Sequence, residues 1–350
     1  MSISNNTNKN SFAIPKKILF INNKGGVGKT SIAFNTAAKL SQKGYKTCIV
    51  DLDPQCNTTM YAVGDNQENS ESLFLPDYEK ENPKTIFDII KPQIEGSGDI
   101  LYSEKPKMLR ENLYLVAGDL SMSLYEESAS NAYTQALAGQ VLGFRIISVI
   151  ERYLTSIARE MEIDLFIIDT SPSLGMMNRL FLLGSDYFIV PVLSDAFSYQ
   201  GINNLGTTLN RWKNDWLSVK QISKSNKITA DLLLDGNPKC LGYISNKCRP
   251  YNQKQTEAQR KWAEKILDSA GINLVPHTNK STNNSIKIMD LADYGTIVNT
   301  SQKVNKAIFE MTTKDTQQIN LGGSKELFIK AGEQFEELAN AIIERIANNY

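Results

Sequence analysis

Six short apolar runs punctuate the chain: KILFIN (17–22), KTCIVDLD (46–53), LYLVAG (113–118), LFIIDTS (165–171), DYFIVPV (186–192) and CLGYIS (240–245). Apolar residues fall on both faces of each run, the pattern of strands in a parallel sheet covered by helices. Between the runs the apolar spacing changes to the helical period. It predicts helices over 29–43, 85–95, 143–161, 175–184, 200–217, 253–270 and 325–348. Strand and helix in alternation predict a doubly wound α/β domain, a mostly parallel twisted sheet with helices on both faces.

The last helix carries Phe335, Leu338, Ala339, Ile342, Ile343 and Ile346 on one face. Its polar face holds Glu333, Glu336, Glu337 and Glu344 with Arg345. Anionic headgroups favour basic faces, so this stripe is expected to pack on the sheet and not on a membrane. The segments 62–84 and 218–239 are polar and turn-rich and are expected as surface insertions in a single domain over 16–350. The Ser- and Asn-rich residues 1–15 are expected as a flexible arm; they lack the apolar core of a signal peptide.

Composition narrows the function classes. Lysine plus arginine and aspartate plus glutamate are equal at 38 each, so any contact with nucleic acid must come from a local patch. Four scattered cysteines (Cys48, Cys56, Cys240, Cys248) and one histidine, His277, argue against a disulfide framework or a zinc or iron–sulfur site and for a reducing cytoplasm. The longest apolar stretch, RLFLLGSDYFIVPVL, is broken by Gly184, Ser185, Asp186 and Pro191, so no membrane span is expected.

The candidate chemistry begins at FINNKGGVGKTS (20–31). A predicted strand ends, a glycine-rich turn follows and a helix starts near Lys29. Gly25, Gly26, Val27 and Gly28 let backbone N–H groups approach phosphate oxygens, and the helix N-terminus adds donors and partial positive charge. Lys29 is expected along the β- and γ-phosphates of ATP, and Thr30, followed by Ser31, is expected to place its hydroxyl on Mg²⁺. A second segment, CIVDLDPQCNTT (48–59), puts Asp51 and Asp53 at the end of a strand, where open α/β sheets bind ligands. In the third, DLFIIDTSPSLG (164–175), apolar residues lead into Asp169, which reads as the Walker B carboxylate opposite Thr30. Thr170 to Gly175 reads as a loop that senses the γ-phosphate.

The stretch KGGVGKT has Asn23 where the ordinary phosphate loop has its first glycine, and a second lysine, Lys24. It resembles the deviant Walker motif of the ParA/MinD group of P-loop ATPases. DLDPQCNTT resembles that family's DxDPQGNxT, with Cys56 in place of glycine. DLFIIDTSPSLG resembles its YDxxxIDxPPSLG. The resemblance implies a nucleotide-sandwich homodimer when ATP is bound, with Lys24 reaching the partner's nucleotide. It also implies that Asp53 orients or activates the attacking water and that Asp51 lies near the metal. GYISNKCRPYNQ (242–253) resembles the adenine-side strand, where Asn246 would read the base. NLVPHTN (273–279) resembles the family's IPR segment, with Pro276 lining the adenine pocket and His277 replacing arginine at the surface.

The implied function is Mg-ATP hydrolysis that positions DNA or other cargo, with nonspecific DNA and a ParB-like adaptor protein as partners. Lys247, Arg249, Lys254, Arg260, Lys261, Lys280 and Lys287, near Tyr251 and Trp262, would form the DNA patch. Alternatives are a MinD-like positioning ATPase of the membrane surface and an ATP-dependent metabolic ligase on the same scaffold.

Overall fold

The computed structural model describes residues 12–64, 85–248, 257–278, 286–315 and 324–348. The strands are β1 (Lys16–Phe20), β2 (Thr47–Asp51), β3 (Lys107–Arg110), β4 (Leu113–Val116), β5 (Leu165–Asp169), β6 (Tyr187–Val192), β7 (Lys239–Cys248) and β8 (Lys287–Ala292). They form one eight-stranded sheet in the order β3-β4-β2-β5-β1-β6-β7-β8. All neighbours run parallel except β3 with β4. Every residue of β2 and β5 is buried, which is why both read as unbroken apolar runs. The two strands that the apolar pattern misses, β3 and β8, are the sheet's edges. Each is partly exposed, and its polar residues hide the strand.

Eleven helices surround the sheet among the described residues: α1 (Lys29–Gln42), α2 (Asn57–Val63), α3 (Ile86–Glu95), α4 (Met122–Leu137), α5 (Val141–Ile147), α6 (Val149–Met161), α7 (Met176–Gly184), α8 (Ala196–Ser225), α9 (Glu257–Asn273), α10 (Thr296–Lys303) and α11 (Ser324–Ala347). They bury two separate apolar layers, one on each face of the sheet. One layer joins the sheet to α3 through α9, and the other joins it to α1, α2, α10 and α11.

The expected final helix is α11. Phe335, Leu338, Ala339, Ile342 and Ile346 are buried in the second layer and Ile343 packs against it, so the apolar stripe faces the core. The stretch 143–161 is two helices and not one, broken at Ser148, whose hydroxyl donates to the Phe144 carbonyl at 2.8 Å. The helix expected over 200–217 is longer. Asp195 caps its start by accepting from the Ser198 amide at 2.8 Å, and its C-terminal turns bury Val219 and Ser223. Beyond it Leu232 and Leu234 return to the core, and the Trp216 indole donates to the Leu234 carbonyl at 3.3 Å. The segment 218–239 is therefore only partly a surface insertion, because its apolar residues close the layer over α8. The other expected insertion lies mostly in 65–84, outside the described residues, as do 1–11 of the expected arm.

With β1 between β5 and β6, the loops leaving β1, β2, β5 and β6 meet at the carboxyl edge at the middle of the sheet. This is the crevice in which open α/β sheets hold ligands.

Candidate functional site

The loop between β1 and α1 is fixed by glycine geometry and by two asparagines. Gly26 and Gly28 have φ of 73° and 87°. A Cβ on Gly28 would also stand 2.1 Å from the Asn246 side chain, so glycine is required there twice over. No side chain caps the start of α1 and no acidic residue lies in its first turn, which suits an anion. Asn22 donates to the Pro191 carbonyl at 2.5 Å and accepts from the Lys24 amide at 2.9 Å. The Asn23 side chain packs where a Cβ on Gly201 of α8 would stand, at 2.8 Å. Asn22 thus ties the turn to β6, while Asn23 fills space against α8 with its Oδ1 buried and unbonded.

Asp169, fully buried at the end of β5, is the hub beneath this loop. Its Oδ1 accepts from the Lys29 ammonium at 2.8 Å. Its Oδ2 accepts from the hydroxyls of Thr30 at 2.6 Å and Thr58 at 2.7 Å. Lys29 also donates to the Thr170 carbonyl. A carboxylate with two hydroxyls is a set of hard oxygen donors that fits Mg²⁺. Among the described residues no cluster of three or more His, Cys, Asp or Glu forms a metal cage.

Asp51 and Asp53 leave β2 toward different neighbours. Asp51 is fully buried. One oxygen accepts from the amide and hydroxyl of Thr59 at 2.8 and 2.7 Å, and the other accepts from the Asp53 amide at 3.2 Å. Burial, with the charge of Asp169 as the next cause, pushes its carboxyl up to about 7. Gly118, after β4, leaves the space that Asp51 occupies, since a Cβ there would be 2.9 Å away. Asp51 is therefore held inside the protein and does not line the cavity. Asp51, expected near the metal, is engaged by Thr59 and the Asp53 amide beside the charge of Asp169. Asp53 does face the cavity. It accepts from the Gln55 amide at 2.9 Å, and burial raises its carboxyl above the ordinary range.

The cavity measures about 620 Å³, and Lys24, Gly25, Gly26, Val27, Gly28, Lys29, Thr30, Ser31 and Asp53 all line it. Asn57, Met60, Tyr61, Pro172 and the α10 residues Asn299, Gln302 and Lys303 complete the wall. Lys24 forms an ion pair with Asp195 of its own chain and lies 5.7 Å from the ring of the exposed Phe197.

The sequence pattern of a family described as an AAA domain matches residues 15–222, more than half of the chain. The chain belongs to this family, as one of the ParA/MinD-type P-loop ATPases. It is 30% identical over 252 residues to an uncharacterised protein, MJECL24, of Methanocaldococcus jannaschii, covering 71% of this chain and 78% of that protein. It is 26% identical over 201 residues to the chromosome-partitioning ATPase Soj of Treponema pallidum, covering 56% of this chain and 64% of that protein. The match therefore spans less than two thirds of that Soj. The structure of protein DIP2308 from Corynebacterium diphtheriae has a TM-score of 0.65 and 27% identity, covering 83% of this chain and 97% of that chain.

Within this ParA/MinD-type frame, the two residues expected on the adenine side, Asn246 and Pro276, do not lie together. Asn246 does stand beside the phosphate loop. Its amide donates to the Val27 carbonyl at 2.8 Å, and it lines a second cavity of about 470 Å³ with Asp293, Tyr294, Gly295, Asn299 and Gln302. Pro276 does not. It sits in a short 3-10 turn, Val275–His277, after α9. His277 there meets Phe188 near the amino end of β6, with ring centroids 6.5 Å apart, at the opposite edge of the sheet. Pro276 thus lines neither of the two cavities beside the phosphate loop. The turn Asp293–Gly295, which lines the cavity beside Asn246, follows β8.

His277 is also buried and not at the surface. Desolvation first, then the nearby charges of Lys213 and Lys239, lowers its imidazole to about 4. Of the expected basic patch, Lys261 pairs with Glu257 at 2.7 Å and Lys287 with Asp290 at 2.6 Å. Arg249, Tyr251, Lys254 and Lys280 lie outside the described residues.

Thr58, Thr59 and the α10 wall carry no role in the sequence motifs. The two threonines have a local signal: adjacent hydroxyls in the first turn of a helix that follows DxDPQ. The α10 residues have none, because they reach the site only through the edge strand β8.

Proposed function

We propose that this chain binds Mg-ATP, dimerises on it and hydrolyses it, and that the cycle positions DNA or other cargo with a stimulating partner protein. The observation that carries the reading is the convergence of Lys29, Thr30 and Thr58 on Asp169 beneath a loop that also carries Lys24. Those contacts are ones a nucleotide can exchange. Lys29 would trade Asp169 and the Thr170 carbonyl for β- and γ-phosphate oxygens. Thr30 and Asp169 would hold magnesium, which supplies charge neutralisation along the phosphates when bound.

In the reaction, water attacks the γ-phosphorus and the bond to the β-bridging oxygen breaks, giving ADP and phosphate. Asp53 faces the cavity with a carboxylate whose burial raises its proton affinity, which suits it to orient that water and take its proton. Lys24 would leave Asp195 to neutralise charge on the partner's nucleotide, as an arginine finger does. Positioning of cargo is supported by the name of the Treponema relative, a chromosome-partitioning ATPase. Nonspecific DNA binding and a ParB-like adaptor belong to the same reading.

Three measurements test it together: equilibrium binding of a fluorescent ATP analogue, phosphate release with and without small-molecule acceptors, and light scattering with ATP and with ADP. Binding, acceptor-independent turnover and an ATP-specific doubling of mass are expected. Turnover only with an acceptor would make the chain a ligase. A gel-shift series on unrelated duplexes is expected to show ATP-dependent retardation that fades with salt, as phosphate contacts require.

A further inference from the structure

A carboxylate outside the motifs holds the loop that follows β5. Glu126, on α4, accepts from the amides of Met176 at 2.5 Å and Met177 at 2.9 Å, the first two residues of α7. That helix has no side-chain cap from its own sequence, because the residue before it is Gly175. Gly175 has φ of −79°, which any residue adopts, so the backbone does not call for glycine. Space does: a Cβ at 175 would stand 2.6 Å from Glu126 Oε1. The glycine makes room for the carboxylate. A carboxylate on two helix N-terminal amides is favoured by charge-assisted hydrogen bonding and by the helix dipole.

The helix that carries Glu126 is a fixed post. Met122, Tyr125 and Ala129 are buried, and the Tyr125 hydroxyl donates to the Ile146 carbonyl at 3.0 Å. The Tyr125 ring lies 6.4 Å from that of Phe181 on α7. The loop Thr170–Gly175 is therefore tied along its length. Lys29 holds the Thr170 carbonyl, the buried Asn178 donates to the carbonyls of Ser171 and Ser173 at 2.8 Å each, and Glu126 takes the amides just past its end. Pro172, within this loop, lines the nucleotide cavity.

We propose that Glu126 is a positioning residue for ATP hydrolysis, fixing the tail of the loop Thr170–Gly175 at the nucleotide cavity without itself lining it. The proposal rests on the ATPase reading, and the test separates the two. Hydrogen exchange at the Met176 and Met177 amides is measured in the nucleotide-free full-length protein, and kcat and KM for ATP are measured alongside. In Glu126→Ala, exchange at these amides is expected to rise about tenfold as their cap is lost. Turnover is expected to fall about tenfold with KM changed less than about threefold, since the loop acts in the transition state. Glu126→Gln, which keeps the size and one acceptor oxygen, is expected to fall between the two and serves if Glu126→Ala does not fold.

Gly175→Ala in the native background is expected to reproduce the loss by pushing the carboxylate away. In the Glu126→Ala background it is expected to add less than about twofold, the coupling that two groups in contact show. Unchanged exchange at Met176 and Met177 in both Glu126 variants overturns the cap. Faster exchange with full turnover overturns the positioning role, as does a Gly175→Ala penalty of equal size with and without Glu126. A native chain without turnover would sink the ATPase reading and the positioning role with it, while the exchange measurement would still decide the cap.

Discussion

The two edges of the sheet treat buried polar groups in opposite ways. At the carboxyl edge, Lys29, Asp169, Thr58, Thr59 and Asp51 form a connected cluster under an open cavity, and the Lys29 and Thr30 contacts to Asp169 are ones that an incoming anion and cation can replace. At the amino edge the groups serve the fold. Lys17 pairs with Glu151, and its amide donates to Asp186 at 2.8 Å. Asp164 accepts the Lys46 amide at 2.8 Å, and His277 is buried neutral with its Nε2 unbonded. Charge is kept available at one edge and locked or suppressed at the other. Substitutions at the carboxyl edge should therefore be read first in binding and turnover, and substitutions at the amino edge first in stability.

The largest break in this contrast is expected from Lys29→Ala. It removes a buried ammonium that would meet the β- and γ-phosphates, so affinity for an ATP analogue should fall about a hundredfold or more. Near-native affinity in an equilibrium titration would leave the loop a glycine turn without a ligand. Next is Asp53→Ala. The groups proposed to hold phosphate and metal remain, so binding should change little while turnover falls about a hundredfold and the ATP-bound dimer accumulates. A variant that hydrolyses normally would move the water-orienting role elsewhere. Smaller again is Lys24→Ala, which should keep nucleotide affinity and lose turnover by about tenfold or more together with ATP-dependent dimerisation. Light scattering that still shows a dimer would confine Lys24 to its pairing with Asp195.

The same contrast explains what the sequence disclosed. The carboxyl-edge residues come from three contiguous motifs, because a loop that wraps a phosphate needs its glycines, lysines and hydroxyls within a few positions. Asp169, Lys29 and Thr30 meet at the ends of β5 and β1. What stayed hidden depends on chain crossings. Glu126 reaches the loop after β5 from α4, and Asn299, Gln302 and Lys303 reach the cavity through β8, whose partly exposed face reads as polar. The NLVPHTN segment resembles the adenine-side motif, but Pro276 and His277 lie by the amino end of β6, away from the cavity that the turn after β8 lines. The early end assigned to α8 has a similar cause: Val219 and Ser223 are buried by the returning Leu232 and Leu234, which local periodicity does not show.

The smallest expected effect sharpens the other half of the comparison. The His277 imidazole is lowered to about 4 by burial, from an ordinary value near 6.5, with Lys213 and Lys239 adding like charge. Above pH 6.5 the folded and unfolded chains both hold it neutral, and it contributes no pH dependence. Between 6.5 and 4 the unfolded chain takes up a proton that the folded chain refuses, so stability falls as pH falls, by up to about 3 kcal/mol at 1.36 kcal/mol per unit. Below 4 both states are protonated and the loss stops growing. Carboxylates add their own slope under pH 5, so the informative quantity is the difference between native protein and His277→Phe. The ring keeps its place against Phe188 and loses its titrating nitrogen. Denaturant midpoints measured from pH 7 to 5 should fall less steeply for the variant, while its affinity for an ATP analogue at pH 7 stays native. Parallel slopes would mean that His277 takes its proton within the fold, and a loss of nucleotide affinity would mean that the two edges are coupled through the sheet.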